Sequence, residues 1–336
     1  MAGAIDIHAH AVTSAYRAAL AAVGLGPPER RMPDWNPGLA IAMMDRNAIA
    51  ASMLSLSVPG VHFGDDAKAR AAARACNDEF AEIVAKNPGR FGAFAILPLP
   101  DVEGACAEAA RALDTLKLDG VGLLSNHNGV SLGDPAFEPL MQVLDAHKAV
   151  AFIHPMIHPT ASGIKLGVPN SLLEYPFDTT RAAVNLIFSN TLERHPNIRF
   201  ILAHAGGTLP YLAWRIAGIA AWQIGAPADN EKWIADRYRV RLIDENPTPF
   251  DANVALAQMR RFYYDTALAP GRAALASLME TADPARVLFG SDWPYAYEHS
   301  FVADAARRLE TEAPFDANEL AAVKRGNALA LFPRFA

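Results

Sequence analysis

Short apolar runs alternate with longer amphipathic stretches along the whole chain of 336 residues. The short runs are rich in β-branched and aromatic residues, whereas the longer stretches combine Ala and Leu with Arg and Glu at helical spacing. Alternation of this kind is typical of βα units and of a parallel sheet. It predicts eight strands: Ala4–His8, Ala51–Ser57, Phe91–Leu97, Gly120–Leu124, Val150–His154, Ile198–His204, Arg261–Asp265 and Val287–Asp292.

The amphipathic stretches predict helices between these strands. They are Asp66–Asn87, Val102–Leu116, Pro135–His147, Thr179–His195 and Pro270–Thr281, with Asn318–Leu331 after the last strand. Eight strands in a chain of this length fit a single (β/α)8 TIM barrel better than two domains. Because no linker-like composition divides residues 1–336, we expect one barrel domain.

Three connecting segments, at about 11–36, 155–178 and 218–253, are longer than ordinary loops. The first two directly follow predicted strands, and the third comes after the helix of strand six. In a TIM barrel such insertions lie over the carboxyl ends of the strands, where active sites are built. We interpret all three as functional insertions rather than as simple connections.

The amino-acid composition limits the kinds of binding partner expected for this protein. The chain is 51% hydrophobic and 20% charged with a net charge of -6, and no Lys/Arg-rich run indicates a nucleic-acid partner. Its two cysteines, Cys76 and Cys106, form neither a disulfide framework nor a cysteine-based zinc site, which favours a reducing, cytoplasmic compartment. Neither a signal-peptide pattern nor an apolar stretch of roughly 20 residues is found, so we expect a soluble protein without a membrane partner.

Side chains that can bind a metal stand at the ends of several predicted strands. His8 and His10 are two apart in an extended run, so both side chains point to the same side. Alone, such a pair is equally well explained by chance. His154, His204 and Asp292 also close predicted strands, and a barrel gathers those ends in one pocket. Imidazole and carboxylate groups in one pocket indicate a metal site.

This pattern resembles the amidohydrolase superfamily of metal-dependent barrel enzymes. Within it, the chain resembles the decarboxylase-like group that includes aminocarboxymuconate semialdehyde decarboxylase and salicylate-type decarboxylases. The matching motifs are Asp6-Ile7-His8-Ala9-His10, Phe152-Ile153-His154-Pro155, His204-Ala205-Gly206-Gly207, Gly290-Ser291-Asp292-Trp293-Pro294 and Gly326-Asn327-Ala328. The resemblance implies that His204 is a catalytic acid/base and that the metal ligands are His8, His10, His154 and Asp292.

The resemblance also implies the number of ions. Binuclear members of the superfamily carry a bridging lysine at the end of strand four or five, but Lys117 lies before strand four here. A single ion is therefore expected. Three imidazoles and one carboxylate suit Zn²⁺, although Mn²⁺ or Fe²⁺ could use the same ligands.

Arg215 lies eleven residues after His204. It matches an arginine that, in the decarboxylases the chain resembles, reaches from the neighbouring subunit to the substrate carboxylate. A guanidinium can bind a carboxylate bidentately, and this role implies a homodimer. A surface arginine on the following helix is the competing interpretation. Arg31 is a second candidate for substrate binding, and Trp293 either lines the pocket or packs in the core.

The favoured function is metal-dependent, non-oxidative decarboxylation of a small aromatic or unsaturated carboxylic acid, such as a salicylate-like hydroxybenzoate. Either His204 or Asp292 could deliver the proton. Asp265 is expected to support the site by contacting one of its residues rather than the metal or the substrate. The alternative is a hydrolase or hydratase in which the same metal activates water to attack a lactone, an amide or an unsaturated acid. A barrel that binds without catalysis is the third alternative. Motifs for a serine nucleophile or a nucleotide cofactor are absent from the sequence.

Overall fold

The computed structural model describes residues 3–25, 32–223 and 253–336. An eight-stranded sheet forms the centre of the molecule, and every strand in it pairs in parallel with the next one along the chain. This arrangement confirms the predicted (β/α)8 barrel. The strands are β1 (Ala4–His10), β2 (Ile49–Ser55), β3 (Phe91–Ile96), β4 (Gly120–Leu124), β5 (Val150–His154), β6 (Arg199–Leu202), β7 (Tyr263–Asp265) and β8 (Val287–Leu288).

Backbone hydrogen bonds join the first strand to the segment that contains and follows the last one. The N–H of Ile7 donates to the carbonyl of Phe289 at 2.9 Å, and the N–H of His10 donates to the carbonyl of Trp293 at 2.7 Å. The sheet therefore closes on itself, which brings the first and last strands of the barrel side by side.

Helices surround the sheet, and aspartates begin two of the long ones. Asp65 accepts a hydrogen bond from the N–H of Lys68, and Asp101 accepts one from the N–H of Gly104, so each caps the free amides of a first turn. The described helices are α1 (Ser14–Ala21), α2 (Pro37–Arg46), α3 (Asp66–Lys86), α4 (Val102–Asp114), α5 (Glu138–Ala146), α6 (Ser171–Phe188), α7 (Thr191–Arg194), α8 (Leu209–Gln223), α9 (Asn253–Met259), α10 (Arg272–Thr281), α11 (Ala303–Thr311), α12 (Ala317–Ala321) and α13 (Asn327–Leu331). In the described ranges, no helix is long and apolar enough to cross a membrane.

Four strands end earlier than their apolar runs predict, and strands six and eight do so next to candidate functional residues. Strand six stops at Leu202, because His204 and Ala205 both have a φ of 55° and so leave the extended conformation. Strand eight stops at Leu288, four residues before Asp292, whose φ is 59°. In both places the candidate functional residue stands on the turn that follows the strand rather than in the strand itself.

The predicted helix Thr179–His195 is two helices, α6 and α7, separated by Asn190 with a left-handed φ of 58°. Helix α6 also begins earlier than predicted, at Ser171, so the predicted insertion 155–178 is partly helical. The insertion 11–36 contains α1. Most of the insertion 218–253 lies outside the described residues.

Aromatic side chains fill the barrel beneath its mouth. The rings of Phe94 and Phe152 stack with their centroids 5.4 Å apart, and Phe332 lies edge-on to Phe94 at 6.0 Å. Phe152 also contacts His8 edge-on at 4.9 Å. The imidazole of His8 therefore lies against a layer of packed aromatic rings.

Candidate metal centre

Four side chains meet at the mouth of the barrel: His8 and His10 from β1, His154 from the end of β5, and Asp292 from the turn after β8. One ligand atom from each lies within 4.8 Å of the others, and all four residues are buried. The Nε2 atoms of His8 and His10 are 3.1 Å apart, and Oδ1 of Asp292 lies 3.3 Å and 3.0 Å from them. The barrel thus brings together all four residues predicted as ligands.

Hydrogen bonds from Nδ1 to acidic or carbonyl oxygens hold the imidazoles of His8 and His154 in place. In His8 this nitrogen donates to Oδ2 of Asp265 at 2.8 Å, and in His154 it donates to the carbonyl of Pro155 at 2.9 Å. A proton on Nδ1 leaves the lone pair on Nε2, where a metal ion would bind. Asp265 was expected to support the site, and it lies directly behind His8.

His10 is oriented by the hydroxyl of Ser55 at the end of β2. The Ser55 Oγ donates to the carbonyl of Ala9 at 3.0 Å, so it accepts from Nδ1 of His10 at 2.9 Å. All three rings therefore use Nδ1 for these hydrogen bonds and direct Nε2 towards one point. The role of Ser55 could not be predicted from the sequence, because a serine at a strand end does not show which histidine it will contact.

Electrostatics favour positive charge at this point. Burial works against a charge on His8, yet Asp265 and Asp292 outweigh it and raise the pKa of His8 to about 10. Burial is the main cause that lowers the pKa of His10. Burial is also the main cause that lowers the pKa of His154, to well below the ordinary value of a histidine. Burial alone would raise the pKa of Asp292, but the charge on His8 and hydrogen bonds from the neighbouring imidazoles lower it well below its usual range.

This donor set fits a divalent metal ion. Two Nε2 lone pairs 3.1 Å apart repel each other unless a proton or a cation lies between them. A tetrahedral ion with bonds of about 2.1 Å separates its ligand atoms by roughly 3.4 Å, which is close to the spacing found here. The negative charge of Asp265 and Asp292, which raises the pKa of His8, would also stabilise a divalent cation at Nε2.

His204 lies beside the four candidate ligands. Its Nε2 is 3.6 Å from Oδ2 of Asp292, and its ring centroid is 5.0 Å from that of His8. This Nε2 is buried and has no hydrogen-bond partner among the described residues. An unpaired imidazole nitrogen at the edge of a cation site is free to exchange a proton with a bound molecule.

The turn that carries His204 has a conformation that requires glycine. Gly206 and Gly207 have φ values of 74° and 66°, directly after the left-handed His204 and Ala205. A Cβ on Gly207 would lie 2.0 Å from the carbonyl oxygen of Pro176 in α6. The turn therefore packs directly against the α6 backbone, as expected for glycines that let the chain approach a neighbour closely.

Asp6 is a structural member of the site that sequence reasoning gave no role. Its Oδ2 accepts the hydroxyl of Ser291 at 2.6 Å, and its Oδ1 accepts the N–H groups of Ser291 and His8 at 3.0 Å and 3.1 Å. Burial raises the pKa of Asp6 to about 7. Asp6 thus ties β1 to the turn that carries Asp292. The sequence did contain an indication that Asp6 belongs to the site, because it stands two residues before His8 on the same strand.

Two tyrosines also contact the cluster and were not predicted. The ring of Tyr175 in α6 lies 5.8 Å from that of His154, and the ring of Tyr295 lies 5.4 Å from that of His10. Trp293 is buried and packs in the hydrophobic core. Arg31 lies outside the described residues.

Arg215 lies on α8, where its side chain is exposed. Two neighbours on the same helix are also exposed, Tyr211 at 84% and Trp214 at 66%. The structure therefore places Arg215 on a surface that carries large aromatic side chains.

Imidazoles and a carboxylate gathered at the carboxyl ends of barrel strands define the class of metal-dependent barrel enzymes. A family model described as Amidohydrolase matches residues 5–334. The chain belongs to this amidohydrolase family.

Its characterised relatives within the family include decarboxylases. The 6-methylsalicylic acid decarboxylase of Aspergillus aculeatus is 35% identical over 336 residues, which cover 98% of this chain and 96% of that protein. A decarboxylase of Aspergillus niger is 34% identical over 347 residues, which cover 98% and 88% of the two chains. The structure of 5-carboxyvanillate decarboxylase from Sphingomonas paucimobilis matches with a TM-score of 0.81 and 25% identity, over 99% of each chain. These similarities confirm the predicted decarboxylase-like group.

Proposed function

We propose that the protein is a metal-dependent, non-oxidative decarboxylase of a small aromatic carboxylic acid, specifically a salicylate-like hydroxybenzoate. The observation that carries this proposal is the buried cluster of His8, His10, His154 and Asp292 with the unpaired Nε2 of His204 beside it. It occurs in a chain whose relatives of matching length, at 34% and 35% identity, are decarboxylases.

We assign His8, His10, His154 and Asp292 as the ligands of one divalent ion. Zn²⁺ is the ion that three imidazoles and one carboxylate suit best, and Mn²⁺ is the second choice. When bound, such an ion supplies positive charge that orients an anionic substrate and stabilises negative charge developing on it.

The His204–Asp292 pair is assigned to proton transfer. In decarboxylation the bond between the ring carbon and the carboxyl carbon breaks, CO₂ leaves, and the ring carbon keeps the electron pair. That carbon must then receive a proton. Nε2 of His204 is suited to deliver it, because it has no competing partner among the described residues and lies 3.6 Å from Oδ2 of Asp292.

Arg215 is proposed to bind a substrate carboxylate across a homodimer interface, because its side chain is exposed in the single chain. Helix α6 packs against α8, and exposed apolar side chains are concentrated on these helices and on the loop before α6. Exposed apolar surface of this extent usually marks a protein interface. The side chains are Ile164, Leu166, Val168, Leu172, Phe177, Tyr211 and Trp214.

Arg31 and Trp293 are kept as further proposed substrate contacts, the first for an anionic group and the second as an aromatic wall. The proposed location is the reducing cytoplasm, supported by Cys76 and Cys106, which are both free thiols. The proposed partner is a small carboxylic acid, with neither nucleic acid nor membrane involved.

Incubation of the metal-loaded protein with a panel of hydroxybenzoates tests the function. We expect release of CO₂ with formation of the corresponding phenol, and in D₂O one deuterium on the carbon that carried the carboxylate. The His154→Ala protein, which lacks one candidate ligand, is the matched control and should release no CO₂. Turnover of lactones or amides without any CO₂ from the panel would instead establish the hydrolase alternative.

A further inference from the structure

Asp178 on α6 is a buried acid outside the group of four candidate ligands, and it is only 1% exposed. Its Oδ2 accepts a hydrogen bond from the hydroxyl of Ser125 and another from Nδ2 of Asn126 at 2.7 Å. Its Oδ1 lies 3.3 Å from Nη1 of Arg181. Asp178 therefore joins α6 to the residues that directly follow β4.

The hydroxyl of Ser125 connects this carboxylate to the loop after β5. It donates its only proton to Asp178, which is much nearer than the carbonyl of Met156 at 3.4 Å. The same oxygen is then free to accept the N–H of Met156 at 2.8 Å. The backbone N–H of Ser125 also donates to the carbonyl of His154 at 2.9 Å. Ser125 thus holds the chain on both sides of the peptide that follows His154.

These hydrogen bonds continue to the imidazole of His154. The N–H of Met156 and the carbonyl of Pro155 belong to one peptide group, and that carbonyl accepts from Nδ1 of His154 at 2.9 Å. Every bond points the same way, because the imidazole donates to the peptide, the peptide to the hydroxyl and the hydroxyl to the carboxylate. Aligned hydrogen bonds polarise one another, so the carboxylate at one end strengthens the bond to Nδ1 at the other.

His8 is supported in a related way, since its Nδ1 donates directly to the carboxylate of Asp265 at 2.8 Å. His154 reaches Asp178 through one peptide group and one hydroxyl instead. Both imidazoles therefore lead to a buried carboxylate. Such a carboxylate fixes the ring, keeps the proton on Nδ1 and raises the basicity of Nε2 towards a metal ion.

Stability alone explains the burial of Asp178 less well. Taking a carboxylate out of water is unfavourable, and attraction to a buried partner often does no more than offset this cost. Within the described ranges its ion-pair partner is Arg181, whose side chain is 48% exposed, so water weakens the pair. The closest contacts of Asp178 go instead to Ser125 and Asn126, and both of these residues also hold Met156.

We infer that Asp178 and Ser125 are positioning residues for the metal centre, and that they act on His154 through the Pro155–Met156 peptide. The inference rests on the proposed function, because it takes His154 as a ligand of the divalent ion. The chain of hydrogen bonds keeps the proton of His154 on Nδ1 and the ring in one orientation. Nε2 then presents its lone pair to the ion.

Two substitutions interrupt this chain at different points. Ser125→Ala removes the hydroxyl, whereas Asp178→Asn keeps the shape and an acceptor oxygen and removes only the charge. Arg181→Gln is the matched control, because it removes the ion-pair partner of the same carboxylate and leaves the bond from Ser125 in place. Circular dichroism establishes that each protein is folded. If Ser125→Ala does not fold, the isosteric Asp178→Asn carries the test.

Competition between the protein and a chelator for Co²⁺ measures the metal affinity. We expect Asp178→Asn and Ser125→Ala to bind Co²⁺ about 10-fold to 100-fold more weakly than the wild type, as when other partners of metal ligands are removed. The visible absorption of bound Co²⁺, which reports its ligands, should change in these two variants. Arg181→Gln should keep the wild-type affinity and spectrum. Unchanged affinity in Asp178→Asn, or an equal loss in Arg181→Gln, would overturn the inference.

Nitrogen NMR of the metal-free protein tests the inference without any activity. The Nδ1 proton of His154, identified by its absence in His154→Gln, should be present in the wild type and in Arg181→Gln. In Ser125→Ala and Asp178→Asn a larger share of that ring should carry its proton on Nε2. If the wild type bound no Co²⁺ or released no CO₂ from hydroxybenzoates, the proposed function would be contradicted. The position of the proton would still decide the role of Asp178, and an unchanged position in both variants would refute it.

Discussion

The carboxylate of Asp265 accepts a hydrogen bond from Nδ1 of His8 at 2.8 Å. Its other oxygen accepts the backbone N–H groups of His204 and Ala267 at 3.0 Å and 2.9 Å. One buried carboxylate at the end of β7 therefore fixes the ring of a candidate ligand and the backbone of the candidate proton donor. A change at Asp265 should disturb both.

Replacing Asp265 by Asn should weaken metal binding about 10-fold to 100-fold, because an amide keeps the shape but not the charge that favours the Nδ1 proton of His8. Titration of the metal-free protein in competition with a chelator measures the affinity. Asp283→Asn, at an exposed turn where the side chain caps the N–H of Ala285, serves as the control. Equal affinity in wild type and Asp265→Asn would contradict the supporting role.

Substitutions of the candidate ligands and of His204 should differ in their effect on metal content. His154→Ala and Asp292→Ala each remove one donor and should abolish both bound metal and turnover. His204→Ala should remove turnover and leave metal largely bound, because Nε2 of His204 is outside the group of four converging ligand atoms. Elemental analysis and CO₂ release measure the two properties, with the exposed His299→Ala as control. Equal metal loss in all three variants would make His204 a ligand.

Arg215 should act in trans if it reaches the site across a dimer. Mixing inactive His204→Ala and Arg215→Ala proteins allows hybrid dimers, in which one of the two sites combines an intact His204 with an intact Arg215. We expect partial recovery of CO₂ release after subunit exchange, which mass spectrometry of differently labelled chains can verify. Verified exchange without any recovery would mean that the two residues do not share a site between subunits.

Stability should depend on pH through His127. Its folded pKa of about 4 is below the value of about 6.5 for an unfolded histidine, so between these values the unfolded chain binds the extra proton. The free energy of unfolding therefore falls as the pH falls through this range, and His127 accounts for a loss of roughly 2 kcal/mol between pH 8 and pH 5.

Urea denaturation at these two pH values should show a smaller loss in His127→Gln, because glutamine does not titrate. His299→Gln changes an exposed histidine and should keep the wild-type dependence. Identical losses in wild type and His127→Gln would show that His127 does not contribute.

Replacing Gly207 by Ala should destabilise the fold by about 3 kcal/mol, since it combines a left-handed φ with a clash against backbone. The φ is 66°, and the new Cβ would lie 2.0 Å from the carbonyl oxygen of Pro176. Gly163→Ala is the matched change, because nothing lies within 4 Å of a Cβ there. Equilibrium unfolding in urea measures the stability of the two variants. Equal stability would mean that α6 moves to accommodate the new Cβ without any loss of stability.

Strand periodicity predicted the barrel, because a chain of this length has few other ways to bury eight apolar strands. It also predicted which residues meet, since βα order places the ends of β1, β5, β6 and β8 at one mouth. The ends of the strands were less predictable. Left-handed conformations at His204 and Asp292 are local departures that tertiary contacts impose, and apolar runs do not reveal them.

Side-chain contacts between neighbouring strands could not be read from the sequence. Ser55 reaches His10 over 45 residues, and Asp6 reaches Ser291 over 285. Each partner is chosen by strand stagger and turn geometry rather than by residue type.

The closure of the barrel also sets an order of events. Asp292 is made more than 280 residues after His8 and His10, and it is brought to them by hydrogen bonds between β1 and the segment after β8. A nascent chain holding only its first half has three of the four donors and lacks Asp292. The complete set of four donors therefore exists only after Asp292 has been made and the barrel has closed.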